Sequence, residues 1–121
     1  MRVLIVEDDP EINHLLCAYA QIAGFAPDPA LDAASALAAA AARTPDLVVL
    51  DVMLPDMDGL EVCRRLRAEP ATATVPVIVL TALTAQATRD AAAACGVAEF
   101  MAKPFDPDEL ILAMRAHVNW G

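Results

Sequence analysis

Glycine and cysteine are scarce in this sequence. The 121 residues include only 4 Gly and 3 Cys. The glycines form neither a G-x-G-x-x-G string nor a P-loop, so the common glycine-rich nucleotide-binding loops are excluded. Cys17, Cys63 and Cys95 are far apart in the chain and form no C-x-x-C pair. We therefore expect reduced core thiols in a cytosolic protein, in preference to a metal or redox site.

Long apolar runs and excess positive charge are also absent. No run reaches about 18 consecutive apolar residues, so no transmembrane helix is expected. The 58% hydrophobic content is inflated by 27 alanines. The net charge of −9 argues against direct contact with nucleic acid, because phosphates require a basic surface. The length is that of one domain, and we expect a cytoplasmic protein without membrane contact.

Five apolar runs alternate with five helical stretches. The predicted strands cover 2–6, 25–30, 47–50, 75–80 and 98–102. The predicted helices cover 10–23, 33–43, 60–68, 84–95 and 107–118, with Asp9, Asp32 and Asp106 as N-caps. Pro27 and Pro29 restrict the second strand to a sheet edge. This alternation predicts an α/β domain, (βα)5, whose parallel sheet is covered on both faces.

Polar residues follow four of the five strands. They are Glu7 and Asp8 after the first, Asp51 after the third, Thr81 after the fourth and Lys103 after the fifth. In an open parallel sheet the carboxyl ends of the strands meet at one edge, where ligands bind. Each residue alone has a structural explanation, such as a strand end or a solvated charge. Together they predict a site.

Three carboxylates at one edge suit a hard divalent cation with oxygen ligands. The cluster is too open for a closed calcium cage. An EF-hand interpretation of the D-M-D-G string at 56–59 fails, because it would place Leu54 and Arg65 at the first and twelfth loop positions. No His/Cys cluster supports zinc. We expect Mg²⁺, or Mn²⁺, together with a phosphate group.

Four strings carry a resemblance to a known family. They are V-L-I-V-E-D-D-P at 3–10, L-V-V-L-D-V-M-L-P-D-M-D-G at 47–59, V-I-V-L-T-A at 77–82 and K-P-F at 103–105. In this order and spacing the chain resembles the receiver domain of two-component response regulators, of the chemotaxis-regulator type. The resemblance implies one receiver domain over 1–121. It also implies a flavodoxin-like, doubly wound parallel sheet with strand order 2-1-3-4-5.

The resemblance assigns roles around the acidic cluster. It implies that Asp51 is the phosphoacceptor for a phosphohistidine on a histidine kinase or histidine phosphotransfer protein. Asp8, Asp51 and the backbone carbonyl of Met53 would bind the metal, and Glu7 would assist through water. Lys103 would contact the phosphoryl group.

The resemblance also implies a switch. The Thr81 hydroxyl and the Ala82 N–H would take phosphoryl oxygens, and Phe100 would then turn from exposed to buried. The bond before Pro104 would be cis. Two positions tune hydrolysis of the phosphate in the family, and here they are the apolar Met53 and Leu83, which predicts a long-lived aspartyl phosphate.

The predicted output is contact with a downstream protein, with a phosphorylation-dependent dimer through the fourth helix, fifth strand and fifth helix as one option. A stand-alone receiver is expected, and the alternative is an N-terminal receiver of a longer multidomain regulator. A rival function is a Mg²⁺-dependent aspartyl-phosphate phosphatase. Such enzymes usually carry a second Asp two residues after the nucleophile, and Met53 stands there instead. We therefore expect a signalling switch and no enzyme.

Three arginines and the lysine have simple structural interpretations. Arg64, Arg65 and Arg67 are most simply a solvated helix face, with a partner surface as the alternative. Lys103, the only lysine, is expected to be exposed and to contribute little to the stability of the unmodified domain.

Overall fold

The fold is a five-stranded parallel sheet with helices on both faces. The computed structural model describes residues 1–120, and its strand order is β2-β1-β3-β4-β5. The strands are β1 (Arg2–Val6), β2 (Ala26–Ala30), β3 (Leu47–Leu50), β4 (Val77–Thr81) and β5 (Glu99–Ala102). The helices are α1 (Pro10–Ile22), α2 (Ala33–Ala42), α3 (Gly59–Ala68), α4 (Gln86–Ala94) and α5 (Pro107–Ala116). The predicted fold class and strand order are confirmed.

The sheet separates two apolar clusters, because successive side chains of a strand point to opposite faces. Leu4 and Val6 of β1 pack with α2, α3 and α4, whereas Val3 and Ile5 pack with α1 and α5. All four residues of the central strand β3 are buried. A continuous apolar run is expected of a strand that is covered on both faces.

The proline-containing strand β2 lies at the sheet edge, as predicted. It pairs with β1 alone: the Ala26 N–H donates to the Met1 carbonyl, and the Ala30 carbonyl accepts from the Glu7 N–H, at the two ends of β1. Pro27 and Pro29 alternate with these positions, so their backbone nitrogens point toward the open edge of the sheet. Proline has no backbone N–H, but no neighbouring strand lies on that side, so the sheet loses no hydrogen bond.

Local sequence signals predicted the N-caps of three helices correctly, but they misplaced the starts of β4 and α4. The carboxylates of Asp9, Asp32 and Asp106 accept hydrogen bonds from the first turns of α1, α2 and α5, as predicted. Strand β4 begins at Val77, two residues later than predicted, after Pro76. Helix α4 begins at Gln86 instead of residue 84, and its N-cap residue Ala85 makes no side-chain hydrogen bond.

The prediction that Arg67 belongs to a solvated helix face is wrong. Its guanidinium donates to the carbonyls of Val75 at 2.7 Å, Cys95 and Gly96 at 3.2 Å, and Thr72 at 3.4 Å. Arg64 and Arg65 are exposed and pair with Glu61, one turn away on α3. Arg67 therefore joins the end of α3 to the turns that precede β4 and β5.

None of the helices within residues 1–120 combines the length and the apolar character needed to cross a membrane.

Candidate functional site

The carboxyl ends of β1 and β3 bring together the predicted acidic cluster. Glu7 and Asp51 are only 2% and 7% exposed, whereas Asp8 is exposed. One carboxylate oxygen from each of the three residues lies within 4.8 Å of the others. Mg²⁺ prefers oxygen ligands and binds through one or two carboxylates while keeping waters. This donor set, open to solvent on the side of Asp8, fits such an ion.

Lys103 is not the exposed lysine that the sequence predicted. Its side chain is only 17% exposed, and its ammonium donates to Asp51 Oδ2 at 2.8 Å and to Glu7 Oε1. Its backbone N–H donates to the Thr81 carbonyl at 2.9 Å, which ties β5 to the end of β4. The bond between Lys103 and Pro104 is cis. Lys103 is therefore the cation that compensates the buried acids.

Burial and the hydrogen bonds of Lys103 together set the pKa values of Glu7 and Lys103. Burial raises the pKa of Glu7, and hydrogen bonding to Lys103 only partly opposes this, while Asp8 and Asp51 add to it. Burial alone would lower the pKa of Lys103, but its hydrogen bonds to Asp51 and Glu7 outweigh burial and raise it. One ammonium thus stands against three carboxylates, so the site retains an excess of negative charge that suits a divalent cation.

The remaining predicted residues surround this cluster at different depths. Asp51 Oδ1 accepts a hydrogen bond from the Met53 N–H at 3.1 Å. Thr81 is fully buried, and its hydroxyl oxygen accepts from the Leu83 N–H at 3.2 Å, whereas Ala82 is exposed. The side chains of Met53 and Leu83 are 54% and 40% exposed.

Phe100 lies half-buried against the apolar cluster on the α3 and α4 side. The guanidinium of Arg89, from α4, stands over its ring at 4.7 Å from the centroid. Its ring is thus neither fully buried nor fully exposed.

Asn13 and Asp56 support the site, although neither was predicted from the sequence to belong to it. The buried Asn13 amide donates to the carbonyls of Glu7 at 3.0 Å, Ala30 at 3.1 Å and Ile5 at 3.3 Å, so it holds the end of β1. The available signal was an amide on the apolar face of α1. The Asp56 carboxylate accepts from the N–H groups of Ala33 at 2.9 Å and Ala34 at 3.0 Å. It fastens the loop after β3 to the start of α2.

Gly59 is required by a close backbone approach. A Cβ atom added there would lie 2.0 Å from the carbonyl oxygen of Asp51. Its N–H donates to the Val52 carbonyl at 2.7 Å. Any side chain at this position would displace the backbone that carries Asp51.

Comparisons with known proteins agree with this geometry. A family model described as the response regulator receiver domain matches residues 3–115. The DNA-binding dual master transcriptional regulator RpaA of Synechocystis is 39% identical over 115 residues, which cover 95% of this chain and 48% of that protein. The DNA-binding response regulator MtrA of Mycolicibacterium smegmatis is 38% identical over 118 residues, covering 98% of this chain and 50% of that protein.

The structural neighbours show the same fold. The Vibrio cholerae chemotaxis protein CheY4 has a TM-score of 0.90 and 28% identity, with 97% of this chain and 98% of that chain covered. The present chain spans about half the length of the curated relatives named above. With its family match over 3–115 and its acidic cluster at the carboxyl ends of β1 and β3, the chain belongs to the response regulator receiver domain family.

Proposed function

We propose that this receiver domain accepts a phosphoryl group on Asp51 from a phosphohistidine of a histidine kinase or a histidine phosphotransfer protein. The observation that carries the proposal is the buried Asp51 carboxylate, held by the Lys103 ammonium at 2.8 Å beside Glu7 and Asp8. Glu7 shares the burial, the lysine partner and the acidic neighbours, and the match to the receiver family is what favours Asp51 over Glu7 as the acceptor.

The transfer is a substitution at phosphorus. A carboxylate oxygen of Asp51 forms the new P–O bond while the P–N bond to the histidine breaks, and the imidazole nitrogen keeps the electron pair and takes a proton. Phosphoryl transfer asks the protein mainly for positioning and charge neutralisation. The Met53 N–H and the Lys103 ammonium orient the Asp51 carboxylate, and Lys103 would contact the transferred group.

Asp8, Asp51 and the Met53 carbonyl would hold Mg²⁺ or Mn²⁺, with Glu7 acting through water. When bound, such an ion supplies positive charge that offsets the repulsion between the carboxylates and an incoming phosphoryl group. Asn13 holds the backbone carbonyl of the buried Glu7, so the backbone at the end of β1 is fixed before any ligand arrives.

The proposed switch uses an element that the rest of the domain holds weakly. Helix α4 buries only Ala92 completely and has no side-chain hydrogen bond at its N-cap. A phosphoryl group on Asp51 would draw the Thr81 hydroxyl and the Ala82 N–H toward its oxygens. Phe100 would then move into the space beside Thr81 and leave the Arg89 guanidinium. A local change of charge thus biases a two-state element.

The aspartyl phosphate is proposed to be long-lived. Met53 and Leu83 present apolar side chains to solvent at the two tuning positions, and neither can donate to or accept from an attacking water. They would shield the phosphoryl group instead of aligning a nucleophile.

The proposed output is contact with a downstream protein in the cytoplasm, with dimerisation through α4, β5 and α5 as one mode. The relatives RpaA and MtrA are named as DNA-binding. The net charge of −9 makes this domain a poor match for phosphates, so we propose that it controls such an activity through protein contact. We propose no enzymatic turnover.

Beryllofluoride with Mg²⁺, a mimic of the aspartyl phosphate, tests the proposal. Titration calorimetry and ¹⁹F NMR should detect binding to the wild type, and Asp51→Asn should abolish it. Asp28→Asn makes the same chemical change at the edge strand and should bind as the wild type does. Equal binding by Asp51→Asn would show that Asp51 is not the acceptor. Sustained release of phosphate from p-nitrophenyl phosphate would favour the rival phosphatase.

A further inference from the structure

Two cysteines that are far apart in the sequence meet between α3 and the end of α4. Cys63 Sγ lies 3.8 Å from the Cys95 carbonyl oxygen, and Cys95 Sγ lies 3.8 Å from the Leu60 carbonyl oxygen, one turn before Cys63. Each thiol therefore lies against the backbone of the segment that carries the other. Both thiols are free. The sequence predicted reduced thiols but did not predict that two of them would meet.

The backbone around Cys95 is fixed by Arg67, which belongs to the same helix as Cys63. Arg67 Nε donates to the Cys95 carbonyl and Nη2 donates to the Gly96 carbonyl, both at 3.2 Å. These bonds hold the end of α4 against α3 independently of the thiols. The proximity of the two sulfurs is thus a product of helix packing, and it would persist while either sulfur changes its chemical state.

The two thiols differ in access. Cys63 is 0% exposed, and burial, with a further contribution from Cys95, raises the pKa of its thiol to about 11. Cys95 is half-buried and lines an open surface cavity of about 380 Å³ together with Arg64, Arg67 and Gly96. An oxidant from solvent therefore reaches Cys95 first. The buried Cys63 then acts as the resolving thiol, which reacts with the oxidised Cys95.

We propose that Cys95 and Cys63 form a modification site, in which a hydroperoxide oxidises them to a reversible intramolecular disulfide. The Cys95 thiolate attacks a peroxide oxygen, the O–O bond breaks, and the departing hydroxide (or alkoxide) takes a proton, which leaves a sulfenic acid. The Cys63 sulfur then attacks Cys95 Sγ and the S–O bond breaks, so that hydroxide leaves as water with the Cys63 proton. Two thiols lose two electrons in total, and one peroxide is reduced.

The disulfide would fasten α4 to α3. Of the side chains of α4 itself only Ala92 is fully buried, so apart from the Arg67 hydrogen bonds just after its C-terminal end, this helix is held by little packing. A covalent bond at its C-terminal end would restrain the helix that flanks Thr81 and Phe100. The formation of the bond does not depend on the proposed phosphorylation, so the two proposals can fail separately.

Counting free thiols tests the proposal. The whole protein is treated with a small excess of hydrogen peroxide, quenched with catalase, and labelled with N-ethylmaleimide in denaturant before intact-mass analysis. Of the 3 cysteines, labelled thiols should fall from three to one, and dithiothreitol should restore all three. Peptide mapping should find Cys63 linked to Cys95. This link should form at least about ten times faster than any link to Cys17, because the thiols are held together.

Variants and a denatured control separate the outcomes. Cys17→Ser should still lose both remaining thiols, whereas Cys63→Ala should stop at a sulfenic acid on Cys95 that dimedone traps. In guanidinium the preference for the Cys63–Cys95 link should disappear. The proposal is overturned if Cys95 proceeds to a sulfinic acid while Cys63 stays free, if the link joins two molecules, or if both thiols survive peroxide.

Discussion

Replacing Arg67 with alanine should destabilise the domain far more than replacing its exposed neighbour Arg65. Arg67 is half-buried and donates to four carbonyl groups that belong to two different segments of the chain, the turns before β4 and β5. Arg65 makes one exposed ion pair with Glu61 at 3.8 Å. The two substitutions remove the same charge from the same helix, so their difference isolates the contribution of the buried guanidinium.

The expected magnitude follows from the geometry. Hydrogen bonds to charged groups contribute about 1.5–3 kcal/mol each. Only the bonds to Val75 at 2.7 Å and to Cys95 at 3.2 Å are both well formed and shielded, and the partial exposure of Arg67 reduces their effect. We therefore expect a loss of about 2–4 kcal/mol in the free energy of unfolding. For a domain of this size that corresponds to a fall in Tm of roughly 8–16 °C. Arg65→Ala should cost about 0.5 kcal/mol or less.

Urea unfolding followed by circular dichroism measures both variants under identical conditions. Arg67→Lys should recover only part of the loss, because one ammonium cannot replace a planar guanidinium that reaches several carbonyls. A difference below about 0.5 kcal/mol between Arg67→Ala and Arg65→Ala would refute the reasoning, since solvated bonds contribute that little.

Three further predictions concern the site and its loops. Lys103→Met should lower the free energy of unfolding by about 2–4 kcal/mol without Mg²⁺, because buried Glu7 and Asp51 lose their cation; unchanged urea unfolding would contradict this pairing. The backbone N–H groups at the start of α2 hold the pKa of Asp56 below its usual value. The ionised Asp56 carboxylate therefore stabilises the fold fully above the pKa that Asp56 has in the unfolded chain, and this stabilisation is lost as the pH falls through its pKa in the folded domain. The acid unfolding curves of the wild type and Asp56→Asn should therefore converge at low pH. A difference in stability that stays constant with pH would contradict this prediction. Leu83→Glu should speed the decay of acetyl-phosphate-labelled protein after donor removal, and equal decay would argue that this position does not shield the phosphate.

Much of the fold could be predicted from the sequence because its signals are local. The continuous apolar run of β3 and the N-cap aspartates of α1, α2 and α5 each depend on residues within a few positions of one another. Because all strands are parallel, a residue that follows a strand must lie at the shared edge of the sheet. This is why the convergence of Glu7, Asp51 and Lys103 was predictable without coordinates.

Tertiary structure decided how deep these side chains lie and what else they contact. The sequence places Lys103 after β5, but its burial follows from two carboxylates that strands β1 and β3 bring to it. Arg67 and Cys63 meet the carbonyl of Cys95 only because α3 packs beside the end of α4. Periodicity reports which face of a helix is buried. It does not report which atom of a distant segment lies opposite, because that depends on the packing distance and angle between elements.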